Sequence, residues 1–457
     1  MHAKKLWLLA LLAGCPDRTI QAVPPSQGKV ETRELDAERR GVDILFVIDD
    51  SPSMEDEQAS LRANFSRLVN VLETLEGGLP DVQIGVVTPN LGTSATDGTT
   101  AAPIGTCSGR GLDGALRAVP GGGPTFLRDV DDGAGGRQRN YTGTLTDAFS
   151  QLADVGINGC GIEQHLEAAK RALDGNPANA GFLRPDAYLA VIVIADEDDC
   201  SLASSKLFEG TQDATYGERI NFRCTSQGVA CDSPSTPFDA ADGVREDCHP
   251  RFEPTQVEQV DRYVDFLKTL KSDERDIVVA GIVGNPDPFE IVTSPGGNPV
   301  LKSSCPQAAQ VAFPAVRTND FLSRFTNRVR TSICDGDLST GLTEIGKLIK
   351  DQGGSGCFDS NLLDVDPETD GAQYDCSVVE VRRVEGEPDQ EIAVLPSCDK
   401  GRFPCWKIVD DPTHCYYTSA DPHLAIVIDR NGVPPDAGTR VKASCVTTVS
   451  ASSGPTL

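Results

Sequence analysis

The feature that most constrains the fold is a nearly unbroken apolar run at residues 42–48, which reads VDILFVI and is followed at once by polar, turn-forming residues. A run of this length, rich in β-branched and aromatic side chains, predicts a parallel strand that is buried on both faces. Ligand sites gather at the carboxyl edge of such sheets. The D-x-S-x-S spacing of Asp49, Ser51 and Ser53 then places one carboxylate and two hydroxyls on a single turn. These hard oxygen donors are the ligands that Mg²⁺ and Mn²⁺ prefer.

A second run, LAVIVIA at residues 189–195, repeats this arrangement because it ends on the acidic segment that begins with Asp196. It predicts another buried strand that delivers an acid to the same edge. Apolar residues at helical spacing predict helices at about 55–75, 144–153, 162–174 and 338–351, and a further core strand is predicted at 277–284. Strands that alternate with helices favour a doubly wound, mainly parallel α/β sheet.

The D-x-S-x-S motif and the later Asp196 resemble the metal-ion-dependent adhesion site of the von Willebrand factor A family. The resemblance implies that Asp49, Ser51, Ser53 and Asp196 hold Mg²⁺, with Mn²⁺ or Ca²⁺ as alternatives. It also implies that an acidic side chain of a protein partner completes the coordination. The threonine of the family pattern has no counterpart in residues 154–161, and Asn158 and Glu163 are the candidate replacements.

Domain boundaries follow from the same patterns. A von Willebrand factor A-like domain is expected at 41–351, with a surface insertion at 89–140 and a disulfide-tied insertion at 201–250. Residues 352–457 contain six cysteines and short β-rich stretches, which predict a small disulfide-rich β module.

The amino terminus has the pattern of an export signal. Lys4 and Lys5 precede an apolar stretch at 6–12, which is too short to cross a bilayer because a span takes roughly 20 residues. The sequence Leu-Ala-Gly-Cys that ends at Cys15 resembles a bacterial lipobox, and the resemblance implies lipidation of Cys15. Residues 16–40 are expected to be a tether. We therefore expect an exported lipoprotein anchored in the bacterial cell envelope, at the outer membrane or periplasmic face; ordinary secretion is the alternative.

The cysteine count agrees with an oxidising compartment. Of fifteen cysteines, fourteen remain once Cys15 is set aside, an even number that is compatible with seven disulfides. Cys107 and Cys160 are predicted to pair, because both flank loops expected near the metal-binding edge.

The formal net charge of −27 argues against nucleic acids and anionic lipid surfaces as partners. No H-E-x-x-H or G-x-S-x-G motif occurs, so those hydrolase classes are disfavoured, and we expect a binding protein, not an enzyme. Two alternatives remain open. A magnesium-dependent phosphoryl-transfer enzyme of the haloacid dehalogenase type would need an acid where Ser51 stands. A metal-free structural scaffold of the envelope would need no ligand at all.

Overall fold

The computed structural model is a mixed α/β protein with several sheets. It describes residues 28–36, 41–75, 78–119, 121–132, 134, 136–218, 222–233, 242–271, 273–306, 311–352, 356–382, 389–412, 415, 418, 420–431, 435 and 439–448. The predicted signal segment, Cys15 and residues 16–27 of the predicted tether lie outside these ranges. In the part of the chain that is described, no helix is both long and apolar enough to span a membrane.

The α-helices agree in position with the predicted ones where a prediction was made. In chain order they are α1 Glu55–Glu73, α2 Leu145–Leu152, α3 His165–Leu173, α4 Asp213–Tyr216, α5 Phe222–Gly228, α6 Asp261–Lys268, α7 Val316–Ser323 and α8 Ser339–Gln352.

The strands form four sheets within the described residues. In chain order they are β1 Gly28–Asp36, β2 Val42–Ile48, β3 Val82–Val87, β4 Leu127–Asp131, β5 Arg137–Arg139, β6 Tyr188–Ala195, β7 Val229–Ser233, β8 Gly243–Pro250, β9 Ile277–Val283, β10 Phe289–Thr293, β11 Pro299–Leu301, β12 Asn327–Ser332, β13 Cys376–Arg382, β14 Gln390–Val394, β15 Cys405–Asp410, β16 Leu424–Asp429 and β17 Thr439–Thr448.

The largest sheet positions the candidate site. Its strand order is β12-β9-β6-β2-β3-β4-β5. The pairs from β12 to β3 are parallel, and β4 and β5 add an antiparallel edge. The two predicted core runs, β2 and β6, are neighbours with Ile48 opposite Ile194. Their carboxyl ends therefore meet at one edge.

Helices cover both faces of this sheet, because successive side chains of a strand point to opposite sides. Phe46 and Ile48 of β2 pack in the core that contains α1, α2 and α8, whereas Leu45 and Val47 pack in the core that contains α3, α6 and α7. On the first face, Phe65 of α1 stacks on Phe149 of α2 with ring centroids 3.6 Å apart. Burying each large apolar side chain stabilises the fold by about 1.5–3 kcal/mol. This packing fixes the ends of β2 and α1 on either side of the Asp49 turn.

Part of the predicted tether is instead a strand. Residues 28–36 form β1, which pairs antiparallel with β17 along its whole length, from Gly28 opposite Thr448 to Asp36 opposite Arg440. The tether prediction is wrong for these residues. Charged side chains dominate the segment and its partner lies at the other end of the chain, so no local apolar pattern marks it as a strand.

The predicted surface insertion at 89–140 also needs correction. Its later part contains β4 and β5, which extend the main sheet beyond β3. Its earlier part contains buried residues: Leu91, Thr93 and Ser94 are almost fully shielded from solvent. These strands were not predicted, because the segment is rich in glycine and short edge strands carry little apolar periodicity.

The described residues contain seven disulfides, which account for the fourteen cysteines other than Cys15. The predicted Cys107–Cys160 pair is confirmed. Two disulfides, Cys200–Cys224 and Cys231–Cys248, tie the 201–250 region, where β7 and β8 join β10 and β11 in a second sheet. After residue 352, the six cysteines pair with one another. There, β13, β14 and β17 form a sheet with β1, and β15 pairs with β16.

Candidate metal centre

The acids that follow β2 and β6 converge at the carboxyl edge of the main sheet. The backbone N–H of Asp49 donates to the carbonyl oxygen of Ile194 at 3.1 Å, which fixes one acidic loop against the other. Carboxylate oxygens of Asp49, Asp196 and Glu197 lie within 4.8 Å of one another. The parallel register of the two strands thus produces the convergence that the sequence predicted.

The turn after β2 brings the D-x-S-x-S side chains together. Asp49 Oδ1 accepts the Ser51 backbone N–H at 2.7 Å, and the hydroxyls of Ser51 and Ser53 are 2.9 Å apart. The Ser53 side chain acts to lower the pKa of Asp196, against the larger effect of burial. Asp49, Ser51 and Asp196 are buried, whereas Ser53 is exposed. All four predicted residues therefore share one cluster, and cation binding by them stays a prediction.

Two contacts hold the segment from Asp154 to Gly161 against this turn. The Gln58 side chain of α1 donates from Nε2 to the carbonyl oxygens of Asp49 and Gly156, at 2.9 Å each. The backbone N–H of Gly159 donates to the carbonyl oxygen of Asp50 at 2.7 Å. The Cys107–Cys160 disulfide anchors the end of the same segment. Residues 154–161 are thus held close to the Asp49 turn.

Of the two candidate replacements for that threonine, the structure brings Glu163 to the cluster. Its side chain is 3% exposed and faces the carboxylates of Asp49 and Glu197, whereas Asn158 is exposed. The Cys200 backbone N–H donates to the Glu163 carbonyl oxygen at 2.8 Å and holds this residue in place. Glu163 therefore adds a buried carboxylate to the cluster.

Burial and mutual repulsion dominate the electrostatics of the cluster. Burial, followed by the charges of Glu197 and Asp49, raises the pKa of Asp196 to about 9. Burial raises the pKa of Asp50 to about 6, although the interaction with the Thr88 side chain acts to lower this pKa. The pKa of Glu163 is raised well above its usual value by burial and by the charges of Asp49 and Glu197. A bound cation would favour the ionised form of each group.

The donor set fits a divalent cation. Asp49 Oδ2 and Asp196 Oδ1 are buried, and neither accepts a hydrogen bond from the described residues. Buried carboxylate oxygens are normally hydrogen-bonded or bound to a metal. Together with the two serine hydroxyls they supply the oxygen ligands that Mg²⁺, Mn²⁺ and Ca²⁺ take.

A cavity of about 500 Å³ adjoins the cluster. Glu163 and Glu197 line it on the side of the acidic cluster, and apolar side chains, including Phe222, Leu301 and Phe313, line it elsewhere. Ligand pockets in proteins have about this volume, 300–1,000 Å³, and a similar mixture of apolar walls and few polar groups.

Sequence reasoning missed His165 as a member of the cluster. Its Nε2 lies 3.8 Å from Asp49 Oδ2, and the ring is fully buried. Asp199 places it, because Asp199 Oδ1 accepts the backbone N–H of Leu166 at 2.9 Å at the start of α3. The available signal was the position of His165 two residues after Glu163, at the start of a predicted helix.

No protein-family model matches this chain, and no curated protein matches it. Among solved structures, a von Willebrand factor type A protein from Catenulispora acidiphila is similar with a TM-score of 0.27 and 12% identity, over 93% of this chain and 66% of that one. The pilus adhesin SpaC from Lactobacillus rhamnosus GG has a TM-score of 0.30 and 8% identity, over 95% of this chain and 43% of its own. The pilus adhesin RrgA from Streptococcus pneumoniae has a TM-score of 0.28 and 11% identity, over 92% and 58%. This chain thus covers less than two thirds of each of these proteins, and TM-scores this low establish no shared fold.

Proposed function

We propose that this protein is a cell-envelope binding protein with a doubly wound domain of the von Willebrand factor A type. Its cluster at the sheet edge holds a divalent cation, and through that cation it binds an acidic side chain of a protein partner. One observation carries the proposal: buried oxygens of Asp49 and Asp196, unpaired among the described residues, lie beside the Ser51 and Ser53 hydroxyls at the carboxyl edge of a parallel sheet.

The residues of this chain have separate tasks in the proposed mechanism. Asp49 and Asp196 supply charge, and Ser51 and Ser53 supply neutral oxygens. Glu163 stands in for the family threonine. The cation, when bound, contributes a positive centre that attracts a carboxylate. The side chain of Gln58 keeps the Asp49 turn in position through its two backbone hydrogen bonds.

The proposed place of action is the bacterial envelope, with lipidated Cys15 as the anchor. The evidence is the sequence pattern of the first fifteen residues and the seven disulfides, which fit an oxidising compartment. Labelling cells with an alkyne fatty acid should mark the wild-type protein and leave Cys15→Ser unmarked. Absence of label on the wild type would contradict the anchor.

Calorimetric titration of residues 16–457 with Mg²⁺ and with Mn²⁺ tests the cation site. We expect saturable binding that Asp49→Ala and Asp196→Ala each abolish. Asp366→Ala is the matched control, because Asp366 is an exposed acid of the C-terminal region. No binding by the wild-type protein would favour the metal-free scaffold, and binding that survives both substitutions would place the cation elsewhere.

A further inference from the structure

The His165 imidazole is buried in an unusual way. The ring is 0% exposed, and neither nitrogen forms a hydrogen bond with any residue in the described ranges. Leaving a buried polar group without a partner costs about 1–3 kcal/mol, so such groups in folded proteins call for a specific explanation. Asp49 Oδ2 lies 3.8 Å from His165 Nε2, which is too far for a hydrogen bond.

Glu163 adds a second buried group of the same kind. Its carboxylate is 3% exposed, and no N–H or hydroxyl in the described part of the chain donates to either oxygen. It faces Asp49 and Glu197, which are also acids. Buried carboxylates in contact need protons or a cation between them.

Asp49 connects these two groups to the turn described above. Its Oδ1 is on the side of Ser51, whose backbone N–H it accepts, and its Oδ2 is on the side of His165. A carboxylate with its oxygens directed to two sides can bridge two cations, as in enzymes where two metal ions lie about 3.5–4 Å apart.

We propose that Asp49, Glu163 and His165 hold a second divalent cation, a transition-metal ion such as Mn²⁺ or Zn²⁺, beside the cation of the proposed adhesion site. One ligand atom from each residue lies within 4.8 Å of the other two. Metal–ligand distances of about 2.0–2.2 Å allow ligand atoms up to about 4.4 Å apart, so small side-chain rotations close the set. The imidazole nitrogen makes this site suit Mn²⁺ or Zn²⁺ better than Mg²⁺.

This inference goes beyond the proposed function, because it adds a second ion and a ligand, His165, that the adhesion motif does not contain. It rests on the proposed function in that Asp49 and Glu163 are shared with the first site. The competing interpretation is a protonated His165 that offsets the charge of Asp49 without any metal. The two interpretations differ in whether the ring nitrogen bonds directly to a metal ion.

Electron spin echo spectroscopy of Mn²⁺ bound to residues 16–457, combined with calorimetric stoichiometry, distinguishes a metal-bound His165 from a protonated His165 without metal. We expect two equivalents of Mn²⁺, with nitrogen coupling from a bound imidazole, and one equivalent of Mg²⁺. His165→Gln should remove the nitrogen coupling and one equivalent of Mn²⁺ and keep the other. His249→Gln is the matched control, because His249 lies on β8, stacked on Phe252, and its loss should change neither quantity.

Each outcome has a distinct meaning. Bound Mn²⁺ without nitrogen coupling, or a stoichiometry that His165→Gln leaves unchanged, overturns the second site and leaves the proposed function intact. Absence of any Mn²⁺ binding overturns both. If His165→Gln does not fold by circular dichroism, Glu163→Gln provides the second variant. It keeps the imidazole and leaves a neutral oxygen beside Asp49, as the family threonine would, so it should lose the second equivalent of Mn²⁺ and keep the first. Retention of two equivalents would again overturn the site.

Discussion

The backbone N–H of Gly159 donates to the carbonyl oxygen of Asp50 at 2.7 Å, and a β-carbon at position 159 would lie only 2.1 Å from Asp50 Oδ1. The loop that carries Cys160 thus approaches the Asp49 turn so closely that a side chain at position 159 must displace the loop. This contact connects the disulfide-anchored loop to the residue that follows Asp49.

Gly159→Ala should therefore destabilise the protein and weaken cation binding together. Overpacking at such a site costs about 1–3 kcal/mol in the free energy of unfolding. Gly161→Ala is the control, because a β-carbon there meets nothing within 4 Å. Urea denaturation and Mn²⁺ titration check both effects. Equal stabilities of the two variants would show that the Gly159 contact has no energetic weight.

The Cys107–Cys160 disulfide should support both the fold and the cation site. It joins cysteines 53 positions apart, so replacing both by serine should cost about 4 kcal/mol on the chain-entropy model. Replacing Cys398 and Cys405, 7 positions apart, should cost about 2.5 kcal/mol and leave Mn²⁺ affinity unchanged. Thermal unfolding and calorimetry measure the two quantities. Loss of affinity in the Cys398/Cys405 variant would contradict a local effect of the Cys107–Cys160 disulfide at the Asp49 turn.

A buried ion pair supports the helix that follows Glu163. Arg317 Nη2 donates to Asp199 Oδ2 at 2.9 Å, and the two side chains are 2% and 0% exposed. Arg317→Met would leave the Asp199 charge buried without this cation, at a cost of about 3–5 kcal/mol in the free energy of unfolding.

Because Asp199 also accepts the Leu166 N–H, the same substitution should lower cation affinity. Arg324→Met is the matched control: Arg324 is 42% exposed and pairs with Asp320 within one helix turn, so its loss should cost less than about 1 kcal/mol. Denaturant midpoints compare the two variants. A similar midpoint for both would mean that Asp199 is compensated by its other hydrogen bonds.

The raised pKa of Asp196 predicts the pH dependence of stability without metal. Its pKa is about 9 in the folded protein against an ordinary 3.8, so the folded state binds the proton more tightly than the unfolded state. The stability this gives is fully present below about pH 4 and is lost as the pH rises through 9. In chelator, the thermal midpoint should therefore fall from pH 5 to pH 9.

Comparison of the wild type with Asp196→Asn measures how much Asp196 contributes to this pH dependence. Asp196→Asn should flatten this fall, whereas Asp366→Asn should leave it unchanged. Saturating Mn²⁺ should reverse the trend in the wild type, because a cation stabilises the ionised carboxylate. A wild-type midpoint in chelator that does not depend on pH would contradict the raised pKa.

Local patterns were sufficient for several elements. The run 42–48 and the helical spacing after it predicted β2 and a helix at 55–75, which is observed as Glu55–Glu73. Each of these signals lies within a few consecutive turns or residue pairs, where side-chain periodicity directly reports which face is buried. The even number of cysteines was likewise compatible with the seven disulfides observed, and Cys107–Cys160 was the one pairing predicted.

Such local patterns could not predict which strands pair when the strands are far apart in the sequence. Thr32 of β1 and Ser444 of β17, 412 positions apart, hydrogen-bond through their hydroxyls at 2.9 Å. Nothing near residue 32 marks this pairing, because an edge strand of charged residues has no apolar alternation of its own. β4 and β5 were not predicted, for a similar reason.

The sequence by itself determined the two strand-then-acid segments, and with them the types of ligand atom that could gather at Asp49 and Asp196. Only the tertiary structure decided that Glu163 and His165 join them. These residues lie more than 100 positions after Asp49, and their side chains carry no periodic signal. Packing of α3 on the sheet and the hydrogen bonds of Asp199 place them. Burial then raises the pKa of Glu163, an effect that depends on its surroundings in the fold and is not visible in a sequence motif.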